Sequence, residues 1–388
     1  MSIEDNSANY RSFGYGVLGP FLNGFVSWLA QSLVRREIDK VFFLSRDGHL
    51  MMQAFREVSS IDRDFDCRYV YFSRNSIRRA LLWTCSSFEE SLRYFSNCRF
   101  TTLNEIAAYY GLTEELVVSL HPEASDVWNQ PIDFSCIARN QIVRSIYVSF
   151  ESRIKEISKQ QSDLLRRYLI QEGMVGKCAI VDIGWHGSMQ HYLEEFVSVV
   201  GIEALFHGFY VGHTPSFCLK GSADGWVYDR IDSPLRKKVL CFFGVIEKFF
   251  QTQEGSTRGY SQADGVVSPV LEAYEFEGDR RHADLLRIVQ NGALDYVKDN
   301  RGAAADAQPW AKMIAFGTSP TLAQTQMFAF LCNNDGAKTF FLPQKALFAY
   351  APNEFVHALS DSAWKTGFMK MAFKLPFPYY AIYKLLRK

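Results

Sequence analysis

The sequence predicts an α/β protein: a Rossmann-like, mostly parallel sheet with a helical insertion and a helical C-terminal region. Two observations predict it. Short apolar runs recur at residues 40–44, 68–72, 178–181 and 205–211, and each breaks off into a polar tip. Between the runs lie segments whose apolar residues fall at helical spacing.

Taken in order, Gly19-Pro20 opens a helix over residues 21–36, with Phe21, Phe25, Trp28, Leu29 and Leu33 along one side. Residues 40–44 read as a buried strand ending in Ser45-Arg46-Asp47-Gly48, and a helix begins near His49. Residues 68–72 form a second strand, closed by Ser73-Arg74-Asn75-Ser76. Residues 86–170 look helical and poor in strand signals, and so read as an insertion; its last helix is expected over 151–171, ending at Gly173. The third strand, 178–181, runs into Asp182-Ile183-Gly184-Trp185-His186-Gly187-Ser188, and an amphipathic helix over 189–200 follows. Residues 205–211 give a fourth strand that ends at Gly212-His213-Thr214-Pro215-Ser216. Residues 255–265, rich in Gly, Ser and Thr, read as a linker. The expected organisation is therefore an α/β core over 1–275 and a helical subdomain over 276–388. No repeat of fixed period is visible.

Composition narrows the function classes. The 388 residues are 48% hydrophobic and 22% charged, with 42 basic against 42 acidic side chains. A neutral balance speaks against nonspecific nucleic-acid binding. Cysteines at 67, 85, 98, 136, 178, 218, 241 and 332 make no CxxC pair and read as reduced thiols. The N-terminus, Met1-Ser2-Ile3-Glu4-Asp5-Asn6, is unlike a secretory signal, and the apolar stretch 21–34 is too short and too polar to span a bilayer. These features place the protein in the cytoplasm, or peripherally at the inner membrane. The C-terminal stretch mixes Phe, Tyr and Leu with Lys370, Lys374, Lys384, Arg387 and Lys388. The plainer reading is a docked helix with a solvated basic end; the alternative is contact with an anionic membrane surface.

In open parallel sheets ligands bind beyond the carboxyl ends of the strands, so the polar tips are the candidate chemistry. Gly184 and Gly187 let successive amides turn inward at the start of a helix, a cradle for phosphate to which His186 and Ser188 add polar groups. Asp182 is placed to hold a metal or a ribose hydroxyl. The bland alternative is a tight turn with packing glycines. Ser45, Arg46, Asp47 and Gly48 offer a guanidinium fork and a carboxylate at a second tip, although Asp-Gly after a strand is common turn chemistry. Ser73 and Arg74, with Arg78 and Arg79 in the next turn, repeat the arrangement. Two Ser-Arg tips together suggest a pocket for several negative charges. His186 and His191 are five apart and share no helix face, and HExxH, GxxxxGK[ST], GxSxG, GxGxxG and DxDx[TV] are all absent.

The chain resembles the glycan phosphoribosyltransferase module of bacterial ribofuranosyltransferases, which act in O-antigen and capsule polysaccharide synthesis. The matching stretches are Phe13-Gly14-Tyr15-Gly16, Leu18-Gly19-Pro20, Trp28-Leu29, Phe43-Leu44-Ser45-Arg46-Asp47-Gly48, Tyr71-Phe72-Ser73-Arg74 and the run from Val181 through Ser188 to Met189-Gln190. A weaker match runs from Ile246-Glu247 through Gly255-Ser256 to Gly259-Tyr260. The resemblance covers roughly residues 13–260. It implies phosphoribosyl diphosphate as donor, a growing and lipid-linked glycan as acceptor, diphosphate as leaving group and a magnesium ion carried with the donor; no protein metal ligand is assigned. It also implies Asp47, then Asp182, then Glu247 as the carboxylate near C1 of the ribose. Members of the family often carry a dehalogenase-type phosphatase domain before this module. Here the chain starts at the transferase, so the expectation is that a separate phosphatase removes the 5-phosphate or that it stays on the product. Three rivals stand beside this reading: a dehalogenase-like phosphatase, for which the second Asp is missing, a noncatalytic scaffold of a polysaccharide assembly complex, and a sugar-nucleotide glycosyltransferase.

Overall fold

The computed structural model describes residues 3–58, 64–95, 99–303, 306–335 and 337–386. Met1, Ser2, Cys98, Arg387 and Lys388 from the sequence reading lie outside the described residues.

Five parallel strands form the central sheet: β1 (Lys40–Leu44), β2 (Asp66–Val70), β3 (Gly176–Trp185), β4 (Ala204–His213) and β5 (Ser222–Tyr228), in the order β2-β1-β3-β4-β5. That order reverses between β1 and β3, which is the switch point of a doubly wound sheet. Both faces are covered, so the central strands are apolar on both sides. Val41, Phe43, Ala179 and Val181 join one hydrophobic cluster, whereas Phe42, Leu44, Cys178 and Ile180 join the other. The period of two in the strand sends alternate residues to opposite faces.

The first face is covered by α1 (Gly19–Arg36), α2 (Gly48–Val58) and α7 (Arg280–Asp299), with Leu18, Met51, Phe55 and Val289 among the buried contacts. The chain is helical from Ile3, and the helix passes through a π turn, Gly14–Leu18, before α1. The sequence reading opens the helix at Gly19-Pro20; Pro20 instead occupies the first turn after the π segment, where its missing N–H does no harm. Gly14 and Gly19 are needed for close packing, since a Cβ would lie 2.0 Å from the Val289 carbonyl oxygen on the first and 2.4 Å from the Tyr296 Cβ on the second. The continuous helix Ser7–Arg36 is long and apolar enough to cross a membrane by length and composition alone, and it is the one such helix among the described residues. In the fold, 67% of its most apolar window is buried inside the protein.

The second face is covered by α3 (Arg74–Arg79), α4 (Gln141–Gln171), α5 (Ser188–Val199) and the smaller helices of the insertion. The insertion is mostly helical as expected, with one two-residue antiparallel pair, Phe100–Thr101 with Ile132–Asp133. Its last helix is ten residues longer at the front than the sequence reading gives, because Asn140 caps it through a bond from Val143 N.

Residues 255–265 are not a linker. They belong to an antiparallel hairpin, β6 (Thr257–Ala263) with β7 (Val266–Leu271), turned at Asp264-Gly265. Gln161 of α4 clamps it through both amide atoms, at 2.9 Å to Tyr260 N and 3.2 Å to Tyr260 O. Beyond residue 275 the chain is mainly helical. Leu285, Val289, Phe316, Phe328 and Trp364 share their hydrophobic cluster with α1 and the sheet. The seven described cysteines form no disulfide.

Candidate active site

Loops from the carboxyl ends of β1, β2 and β3 meet α6 (Phe243–Phe250) and the start of β6 around a cleft of about 490 Å³. It lies where the strand order reverses, the position at which a doubly wound sheet opens a crevice. Ser45, Arg46, Asp47, Ser73, Arg74, Asp182, Gly184, His186, Gly187, Ser188 and Glu247 all line it. They come from four separate stretches of sequence.

Three carboxyl groups share the cleft. Burial pushes Asp47 well above the usual carboxylate range, and the charges of Asp182 and Glu247 push it further. Asp182 is raised to about 6, chiefly by burial; amides of Ile183 and Gly184 and the charge of Arg74 oppose the rise. Burial also raises Glu247, against the Trp185 indole, Lys248 and the two cleft arginines. Such groups titrate as a set, each held above the usual carboxylate range. Asp47 accepts no hydrogen bond from the described residues, which leaves its oxygens available to a ligand.

The sign of the linkage follows. A carboxyl whose folded pKa is raised contributes stability below its unfolded pKa and loses it as pH rises through the folded value. The melting temperature should therefore fall between about pH 4 and pH 7, and Asp182→Asn should flatten that fall. Thermal unfolding across this range checks it; a wild-type melting temperature that climbs through pH 6 would contradict it.

The two arginines are held differently. Arg46 lies 3.9 Å from Glu275 and 3.5 Å from the Glu254 carbonyl. Glu275 also accepts from Lys248 at 2.8 Å, and Lys248 is almost fully buried. Burial pushes Glu275 up, but Lys248, the Gln251 amide and Arg46 together outweigh it and hold the carboxyl below its usual value. Arg46 is thus anchored from behind. Arg74 is exposed and makes no hydrogen bond or ion pair with the described residues; its charge acts on Asp182 and Glu247.

The end of β3 and the turn that follows carry three left-handed backbones. Gly184 has φ 92°, Trp185 φ 70° and Gly187 φ 73°. At Gly184 the need for glycine is also steric, since a Cβ would sit 2.5 Å from the Tyr210 side chain. Trp185 holds a left-handed conformation that costs a bulky residue on the order of 1 kcal/mol. It is kept there by its indole N–H, which donates to Glu247 at 2.8 Å, and by stacking on Tyr228. Gly187 caps α5 without any side-chain bond, so the first-turn amides of that helix stay open where Ser188 and Met189 line the cleft. An uncapped helix N-terminus is an anion site by geometry and dipole. His186 carries little positive charge there, because burial, Arg236 and Arg74 all lower its pKa, and it pairs with the Ser216 hydroxyl at 3.1 Å.

Two residues assigned to donor phosphate serve the fold instead. Gly48 does not line the cleft; it begins α2, where a Cβ would lie 2.8 Å from the Phe43 carbonyl carbon. Ser73 lines the cleft but its hydroxyl is committed, accepting from Ser76 N at 3.0 Å and donating to the Thr257 carbonyl at 2.7 Å. It caps α3 in a reciprocal box with Ser76. Three side chains escaped the sequence reading, Lys248, Glu275 and Thr257, and Trp185 enters it as part of the turn motif without a role of its own. The Thr257 hydroxyl is buried beside the cleft with no hydrogen bond among the described residues. A tryptophan between two turn glycines is the one sequence signal that could have drawn notice to this set.

The fold and site define an α/β protein with a mixed arginine and carboxylate cleft at a sheet switch point. A scan against protein-family models and a search of the curated proteins both return no match.

Proposed function

We propose that the cleft transfers a 5-phosphoribosyl group from phosphoribosyl diphosphate to a hydroxyl of a bacterial surface glycan, with release of diphosphate. The observation that carries this reading is the convergence of Arg46, Arg74 and the open end of α5 on one cavity that also holds Asp47, Asp182 and Glu247. The donor is anionic at both ends and becomes cationic at C1 as the bond to diphosphate breaks. Arginines and open amides suit the ends; carboxylates suit the middle. A cavity of about 490 Å³ is in the range that encloses a ligand of this size.

The acceptor oxygen attacks C1 as the C1–diphosphate bond lengthens. Asp182, raised to about 6, takes the acceptor proton near neutral pH. The sequence ranks Asp47 ahead of Asp182; the cleft's electrostatics favour the reverse order for the base, because Asp47 holds its proton more firmly. Protonated Asp47 then donates a hydrogen bond to the departing diphosphate, and Arg46 stabilises the growing charge. Glu247, fixed by Trp185, steadies the cationic ring. A magnesium ion carried with the donor diphosphate would supply charge neutralisation at the leaving group, with few Asp or Glu ligands from the protein. Among the described residues no three such side chains group as a metal site.

Mass spectrometry of synthetic acceptors incubated with phosphoribosyl diphosphate tests the reading. The expected gain is one ribose plus one phosphate. Release of phosphate from a generic phosphomonoester instead, with no gain on the acceptor, would favour the phosphatase rival.

A further inference from the structure

We propose that the C-terminal face built from residues 365–386 docks on an anionic lipid surface. Two helices form it, Lys365–Phe373 and Tyr379–Leu386. Phe355 of the preceding helix supports them, its ring 5.6 Å from Phe368 and 5.8 Å from Phe373, and Phe373 stacks on Tyr379. On this layer large apolar side chains stand in solvent: Leu385 is 70% exposed, Phe377 51% and Leu375 46%. Single exposed apolar residues need no explanation, but a contiguous group with no cover marks a contact surface.

Charge decides what covers it. Between residues 365 and 386 there are four lysines, at 365, 370, 374 and 384, and no acidic residue. Lys374 sits in a left-handed turn directly before exposed Leu375. Lys365 and Lys370 turn their ammonium groups to backbone carbonyls, whereas Lys374 and Lys384 are exposed beside the apolar groups. Apolar side chains that enter the interface, flanked by lysines that meet the headgroups, are the composition of a surface-bound element. A second copy of the chain fits worse, because a self-complementary contact would set this lysine-rich, acid-free stretch against itself.

The face is also tied to the cleft. Trp364 is buried and donates to the Gly317 carbonyl at 3.0 Å, and Lys365 N donates to the Cys241 carbonyl at 2.8 Å. Cys241 lies between Leu240 and Phe243, which line the cleft. Ala363 packs on α6 so closely that a Cβ at Gly244 would lie 2.5 Å from its own. One turn of chain thus separates the lipid-facing layer from the cleft. Resting on the transferase reading, this contact holds the cleft where a lipid-linked acceptor is presented; the docking itself stands without it.

Flotation of the full chain with vesicles tests the proposal, read without donor or acceptor. Vesicles of phosphatidylcholine with phosphatidylglycerol should carry the protein at least about tenfold better than phosphatidylcholine alone. The pairs Lys374→Glu with Lys384→Glu, and Phe377→Ser with Leu385→Ser, should each lower that partition about tenfold while transfer to a soluble acceptor is unchanged. Equal partition into both vesicles, no partition at all, or pair variants that shift the solution mass in the absence of lipid would overturn it, the last by revealing a self-contact. Failure of transfer with intact vesicle binding would count against the function alone.

Discussion

Asp182→Asn is expected to lower kcat about 10²- to 10³-fold, the range for removing a positioned proton acceptor. The amide keeps the size of the carboxyl and one accepting oxygen, so donor KM should change less than kcat. Burial raises Asp182 to about 6, which brings it near working pH. Asp47→Ala should also fall, by about 10²-fold, because alanine has no donor to offer the leaving diphosphate. The double variant should lose no more than about the larger single loss, since the two act on one proton inventory and effects within such a unit are non-additive. Steady-state kinetics on the three proteins check this. Multiplicative losses would mean that the carboxyls work separately. A near-wild-type Asp182→Asn would remove Asp182 from proton transfer.

Arg74→Ala is expected to weaken donor binding by about 30- to 150-fold, equivalent to about 2–3 kcal/mol for a charge-assisted contact. The melting temperature should hardly move, because Arg74 is exposed and no described residue depends on its hydrogen bonds. Arg46 offers the contrast. Its guanidinium lies against Glu275, whose other partner is buried Lys248, so Arg46→Ala should weaken donor binding and lower stability together. Titration calorimetry beside thermal unfolding separates the two. Unchanged affinity in Arg74→Ala would detach the β2 tip from the anion pocket.

Much of this layout was legible because of how parallel sheets bury their strands. With both faces covered, β1, β3 and β4 read as unbroken apolar runs, and their polar tips mark where burial ends. Strand β5 was not legible: Ser222-Ala223-Asp224-Gly225 is edge chemistry, half exposed on one side of the sheet. The β6–β7 hairpin hid for a similar reason, since its glycines and serines resemble a linker until Gln161, 99 residues from Tyr260, is seen to clamp it. The clustering of Asp47, Asp182 and Arg74 could be anticipated from the rule that parallel strand ends share an edge. The engagement of Ser73 by Thr257 could not, because that partner lies 184 residues away. Lys248 and Glu275 follow the same logic. Their pairing is what orients Arg46, and neither residue carries a local mark of it. At Gly48 and Gly187 the sequence offers the same residue type beside a helix start, yet one glycine relieves a packing clash and the other supplies a positive φ; only the backbone distinguishes them.

Calorimetric titration of the protein with phosphoribosyl diphosphate, and separately with ribose 5-phosphate and with diphosphate, interrogates the shared cleft most directly. One donor molecule should bind per chain, each fragment should displace it, and Arg46→Ala and Arg74→Ala should each weaken the whole donor more than at least one fragment. Absence of donor binding, or fragments that bind together with the intact donor, would mean that these strand-end loops do not grip a doubly phosphorylated pentose.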